Sequence, residues 1–251
     1  APLMVRTGWR TVFVVSAVVG LAMAMLWLWL APRRAERAGT HRYVPMEEQL
    51  RDAARLLRNR ALLVLSVSYL LHSAAFFVFV FWFFNYLTEA RGFSVLASGV
   101  WASVPHFMSF VIAPLVGIGA DRLARRRPSL VVWRRVAMAC LVTAATFVLV
   151  GANLPTPTLA IVALGISTAC LVSCEAPFWT TTTALAPDAA GSAGGVLNLM
   201  GNLGGVLSIW LVPLMKDAWG WTATLAVWAG VALVAAMLWI VVGRMTTAAG
   251  R

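Results

Sequence analysis

Glu175 stands in the run "ALGISTACLVSCEAPFWTTTT", with no charged residue within twelve positions on either side. Ionisable groups in such runs are rare, costly, and usually face a cavity or a partner. Loss of water disfavours the charged form of a carboxyl, so a glutamate there can carry a proton or stay neutral and donate a hydrogen bond. The plainer role is a protonated brace between helices. Tyr69, His72, Ser73 and Phe76 follow helical spacing in an equally apolar run. Histidine titrates near neutral pH, so His72 either lines a cavity or packs as a satisfied interior side chain. His106, beside Pro105, poses the same choice. Asn198 and Asn202 are four apart and share a helix face, and amides in hydrocarbon are costly unless satisfied. The pairs Gly191/Gly195 and Gly201/Gly205 permit close approach of helices. Cys140, Cys170 and Cys174 form an odd, apolar set rather than a disulfide framework. Two thiols sharing a face, with no His nearby, make a poor metal site. They read as small core residues, and no metal or cofactor is expected.

The elements that hold these residues follow from composition. The chain has 251 residues, 61% hydrophobic and 12% charged, where a soluble domain is about half apolar and a quarter charged. The excess comes in seven runs, at about 11–30, 61–87, 95–119, 134–152, 158–184, 191–215 and 221–243. About twenty apolar residues span a bilayer as helix. Barrel strands need an alternation that these runs lack. The expectation is an all-α membrane protein.

The net charge of +11 does not point to nucleic acid, because of where the charges fall. If the spans alternate, Arg33 to Arg60, Arg122 to Arg135, Arg244 and Arg251 share one side, which holds 16 of the 20 basic residues. Such an excess marks the cytoplasmic face. The chain is then a multi-pass protein of a bacterial inner membrane, with its C-terminus cytoplasmic.

The first span, within 1–30, stands apart from the rest. A polar linker over 31–60 follows, and its part "PMEEQLRDAARLLRNR" reads as an amphipathic surface helix with Leu50, Ala54 and Leu57 on one face. A six-helix bundle over 61–243 and a tail over 244–251 complete the chain. One helix, a long linker and six helices are what remains of a six-linker-six protein without its first five helices.

The stretch "GIGADRLARRR", with Gly117, Asp121, Arg122, Arg125 and Arg126, resembles the cytoplasmic loop signature of the major facilitator superfamily. Asp121 can pair with a neighbouring Arg there, and the Arg cluster suits an anionic headgroup layer. "FWFFNYLTEARGFS", "EAPFWTTTTALAP", "GVLNLMGNLGGVLSIWLVP" and "GWRTVF" resemble helices 7, 10, 11 and the entry to helix 6 of the anion:cation symporters. That branch holds the phthalate, tartrate, glucarate, galactonate and sialic-acid type permeases. The resemblance implies helices 6 to 12 of such a permease: the C-terminal six-helix bundle plus one preceding helix. It implies alternating-access symport of a small organic anion, such as a sugar acid, with protons. It places substrate contacts at Trp179 and Thr180 on helix 10 and at Asn198 on helix 11. Tyr69, His72 and Phe76 on helix 7 join them as candidate contacts, and Glu175 is the candidate for proton coupling. The family's anion-binding Arg and main coupling carboxylates lie in the first helices, so the implied partner is an N-terminal helical bundle.

Two other readings of seven spans stand beside this one: a non-transporting receptor, and a half-transporter subunit. A retinal protein needs a Lys in the middle of its last span, and the only Lys, Lys216, lies beside Asp217 at a helix end. A membrane enzyme would need a cluster of catalytic side chains, and none appears in the pattern.

Overall fold

The computed structural model describes residues 7–30, 45–47, 51, 55–56 and 58–248. Among them all regular structure is helical. The elements are α1 (Trp9–Leu30), α2 (Arg60–Phe81), α3 (Phe83–Glu89), α4 (Val95–Trp101), α5 (Val104–Ala124), α6 (Ser129–Asn153), α7 (Pro157–Ser173), α8 (Glu175–Leu185), a 3-10 turn (Pro187–Ala189) and α9 (Ala190–Ala248). Six stretches are long and apolar enough to cross a membrane. The last of them, Pro187–Thr246, turns at Gly220, whose φ of 77° and ψ of 171° leave the helix. Glycine enters that region without a Cβ penalty. With this turn, all seven apolar runs of the sequence lie in helix, and the chain is an all-α membrane protein.

Residues 1–45 and 46–251 form separate compact units. In the first, α1 is 22 residues of nearly pure hydrocarbon. Its few hydroxyls turn back on the helix, Thr11 donating to Thr7 O at 3.0 Å and Ser16 to Val12 O at 2.9 Å. The helix thereby presents no unpaired hydroxyl to its surroundings.

The second unit begins at the linker. Of the expected surface helix over 45–60, residues 48–50, 52–54 and 57 lie outside the described residues. Leu56 is buried and clusters with Leu62, Ala186 and Ala193. Leu56 is thereby an apolar anchor of this segment among the described residues, while Leu50, Ala54 and Leu57 lie outside them. Asn59 then caps α2, its Oδ1 accepting from the backbone N–H groups of Ala61 and Leu62. Such a cap satisfies donors that a helix start leaves orphaned.

Three spans are broken. One break, at Ala102 and Ser103, falls just before Pro105, and another, at Cys174, falls three residues before Pro177. Proline lacks an N–H and crowds the carbonyl four residues back. The third, at Trp82, occurs without a proline.

Between the apolar runs 95–119 and 134–152 only residues 125–128 lie outside helix. Helix α5 runs to Ala124 and α6 starts at Ser129. Ala, Leu and Arg are strong helix formers and extend α5, until Pro128 ends the run. Arg134 and Arg135 therefore belong to α6.

In the bundle α9 packs along α2 and α6, and α7 packs between α5 and α6. Lipid is as apolar as Leu, so close packing rather than water exclusion holds such helices. Gly204 shows how tight it is: a Cβ there would collide with the backbone of Leu70 and Ala74 in α2. Gly151 against Leu164, and Gly165 against Met108, repeat the device between α6 and α7 and between α7 and α5.

Candidate functional site

The break at Cys174 builds the site. Its N–H bonds Leu171 O three residues back, at 3.0 Å. Pro177 offers no N–H, so helix α8 starts afresh with Glu175 in its first turn. A carboxylate at a helix N-terminus is favoured by the dipole. Two donors converge on one of its oxygens. Tyr69 Oη donates to Glu175 Oε2 at 2.9 Å, and Trp179 Nε1 donates to the same atom at 3.1 Å. Trp179 sits one turn along the same helix; Tyr69 reaches across from α2. Hydrogen bonds to an ionised acceptor are about twice as strong as neutral ones. Among the described residues Oε1 has no such bond, so it can take a proton or a ligand hydroxyl.

Behind Tyr69 lies an aromatic wall. The rings of Tyr69 and His72 stack at 5.6 Å, and Phe178 stands 4.9 Å from Tyr69, 5.1 Å from His72 and 5.1 Å from Trp239. His72 is fully buried, and its Nε2–H donates to Leu171 O at 2.8 Å. It holds Tyr69 in place and stands back from the opening of the site. Phe76 is half-buried two turns from Tyr69 along α2, beside Phe77 at 5.6 Å.

The first arm of α9 (190–219) passes in front. Gly194 abuts the indole of Trp179, and Gly201 abuts Tyr69 and Ser73. Asn198 is four residues after Gly194 and three before Gly201, hence on the same face. Asn198 is exposed, on the turn of α9 between the two glycine contacts. Asn202 satisfies its amide on its own helix, Nδ2 donating to Asn198 O at 2.8 Å. Thr180 is half-buried next to Trp179, and its carbonyl accepts from Thr183 at 3.0 Å. The structure thus joins Glu175, Tyr69 and Trp179, sets His72 behind them, and leaves Asn198 on the exposed side of the neighbouring α9.

The Gly117–Arg126 motif lies elsewhere, at the last turns of α5. Arg125 N bonds Asp121 O at 3.1 Å, and Arg126 N bonds Leu123 O at 3.0 Å. Asp121 is exposed and forms no ion pair among the described residues, because it and the arginines project outward from a helix end. Cations there suit the negative pole of the dipole.

Several contacts had no signal in single residues. Arg91 reaches the end of α6, with Nη1 donating to Leu154 O and Nη2 to Gly151 O, both at 2.8 Å, and Nε donating to Tyr86 Oη at 2.6 Å. Glu89 accepts from Trp221 Nε1 at 3.1 Å and pairs with Lys216 at 3.2 Å, tying α3 to the Gly220 turn. The three free thiols converge: Cys140 of α6 meets Cys170 and Cys174. Only the break was announced, by Pro177 two residues after Glu175.

Comparison with known proteins agrees with this architecture. The profile of the Major Facilitator Superfamily matches residues 1–209. A D-galactonate transporter of Escherichia coli O6:H1 is 26% identical over 92% of this chain and 59% of its own length. A probable galactarate/D-glucarate transporter of Bacillus subtilis is 25% identical over 92% of the chain and 55% of its own length. A hexuronate transporter of Bacillus subtilis is 22% identical over 86% of the chain and 53% of its own length. The chain therefore spans little more than half the length of these relatives.

Proposed function

The chain belongs to the major facilitator superfamily, and from that membership we propose that it forms the C-terminal bundle of a secondary transporter for sugar acids. The observation that carries the reading is the meeting of Tyr69, Trp179 and Glu175, and Asn198 of the neighbouring α9 is read as its further substrate contact. Transporter sites sit near the bilayer midplane, where discontinuous helices face one another, and Glu175 opens the second half of such a helix. The opposing surface is a second helical bundle, and the two rock about the site in turn.

A polyhydroxy acid offers hydroxyls that donate and accept, a carboxylate, and a carbon skeleton with apolar faces. Asn198 supplies an amide that does both. Glu175 Oε1 accepts a hydroxyl while Oε2 stays held by Tyr69 and Trp179. The indole of Trp179 covers a C–H face, and Thr180 and Phe76 extend the wall. A proton taken up at Oε1 offsets the charge of the anion as both cross. The basic end of α5, with Gly117, Asp121, Arg122, Arg125 and Arg126, meets the opposing bundle in one of the two states, on the cytoplasmic side.

The test is uptake of labelled D-galactonate, D-glucarate and a hexuronate by cells producing this chain, with and without the N-terminal six-helix half of a galactonate transporter. Uptake of at least one acid only when both parts are present is expected. Uptake by this chain alone, or of none of the acids with both parts, would refute the reading.

A further inference from the structure

On another face of α8 a cavity of about 190 Å³ opens between α6, α8 and the second arm of α9 (221–248). Thr181 lines it, six residues on from Glu175 and so roughly 240° round the helix at 3.6 residues per turn. Trp239 lines it from α9, and Arg134 and Gly243 complete its polar end. Thr181 is 3% exposed and Trp239 not at all, yet Thr181 Oγ1 and Trp239 Nε1 have no hydrogen-bond partner. Buried donors left unpaired are costly, and these two, of nine such buried polar atoms among the described residues, share one cavity with a guanidinium. Arg134 is half-buried and makes no hydrogen bond or ion pair among the described residues. Its guanidinium lies against Gly243, in the space a Cβ would take. Leu130 and Val131, also in the lining, belong to the first turn of α6; Val131 N–H already bonds Pro128 O at 3.0 Å, so the helix start adds the positive end of its dipole rather than a free donor there.

The lining therefore combines a guanidinium, an indole N–H, a hydroxyl and a helix start, with no carboxylate among its residues. Guanidinium and indole only donate, so the complement is an acceptor-rich anion. A tetrahedral phosphate suits the forked guanidinium. Leu130, Val131 and Val242 supply apolar walls for an attached hydrocarbon. We propose that this cavity binds a phosphate group, carried on an anionic phospholipid or free in solution, and that the bound group fastens α6 to the end of α9. Transport plays no part in the proposal, so it stands or falls apart from the site at Glu175.

The test uses the full 251-residue chain purified in detergent. Its thermal unfolding is followed while dioleoylphosphatidylglycerol, inorganic phosphate or dioleoylphosphatidylcholine is titrated in. A saturable rise of the midpoint with phosphatidylglycerol, well above that with the zwitterionic lipid, is expected. A rise with phosphatidylglycerol alone assigns a lipid headgroup; a rise with phosphate as well assigns the phosphate itself. Arg134→Gln should weaken binding at least ten-fold and Thr181→Val several-fold. Arg135→Gln, the same charge change at the exposed neighbour, should leave it unchanged. Arg134→Lys keeps the charge without the fork and serves if Arg134→Gln does not fold. No saturable rise with either anionic probe would overturn the proposal. So would equal losses for the Arg134 and Arg135 variants, which would mark a diffuse surface charge effect.

Discussion

Tyr69 and Glu175, 106 positions apart in sequence, meet through a 2.9 Å hydrogen bond between α2 and α8. The bond joins the two helices beside the glycine-lined face of α9. It also fixes one carboxylate oxygen and leaves the other open. Replacing Glu175 by Gln keeps an acceptor for Tyr69 and removes the titrating group. In cells producing both bundles, Glu175→Gln should flatten the pH dependence of uptake while exchange of internal for external substrate survives. Stability should fall by no more than about 1 kcal/mol, the scale of a hydrogen bond within a membrane. An unchanged pH profile with a larger stability loss would leave Glu175 as a brace.

Tyr69→Phe removes one of the two donors to Oε2 and keeps the aromatic stacking against His72 and Phe178. The expected cost is about 1 kcal/mol in unfolding, together with weaker substrate affinity because the carboxylate can now swing on its remaining bond to Trp179. Binding isotherms in detergent, read beside unfolding midpoints, separate the two effects.

Gly204→Ala should be among the most damaging single methyl additions, since the new Cβ meets backbone atoms of Leu70 and Ala74 and neither can rotate away. Overpacking of this kind costs about 1–3 kcal/mol. Gly117→Ala meets nothing within 4 Å, and its unfolding midpoint should match the parent. Loss of uptake in Gly117→Ala with stability intact would then report on the motif at the end of α5 and not on folding.

Arg91→Lys keeps the charge but cannot span the carbonyls of Gly151 and Leu154 together. Freed carbonyls at the end of α6 predict a loss of about 1–3 kcal/mol. Denaturant unfolding of the purified chain checks it, and a midpoint equal to the parent would show the clamp to be dispensable.

The helices were legible because hydrocarbon demands long apolar runs, and every run became helix. Their interruptions were less so. Pro105 and Pro177 announce two, while Trp82 carries no comparable mark. Glu175 was conspicuous by charge alone, but its partners were not. Tyr69 and His72 sit on one face of α2, and nothing local says that the first bonds Glu175 while the second turns inward to Leu171 O, 99 positions away. Asn202 had to satisfy its amide, but nothing in the pattern says that it does so on the carbonyl of Asn198, one turn back on its own helix. The stretch 120–133 fell outside the apolar runs because its arginines count as polar, although arginine continues a helix as well as leucine does. Contacts between distant segments depend on packing registers that no single run encodes.

The most direct measurement is the concentration dependence of labelled D-galactonate uptake, in cells producing this chain with an N-terminal bundle, for the parent, Asn198→Ala and Glu175→Gln at pH 6 and pH 8. Asn198→Ala should raise KM about ten-fold or more at both pH values, the cost of an unpaired polar group on a bound substrate, and Glu175→Gln should erase the difference between the two. Parent-like KM values and an undiminished pH difference in both variants would contradict a substrate site built from Glu175, Tyr69, Trp179 and Asn198.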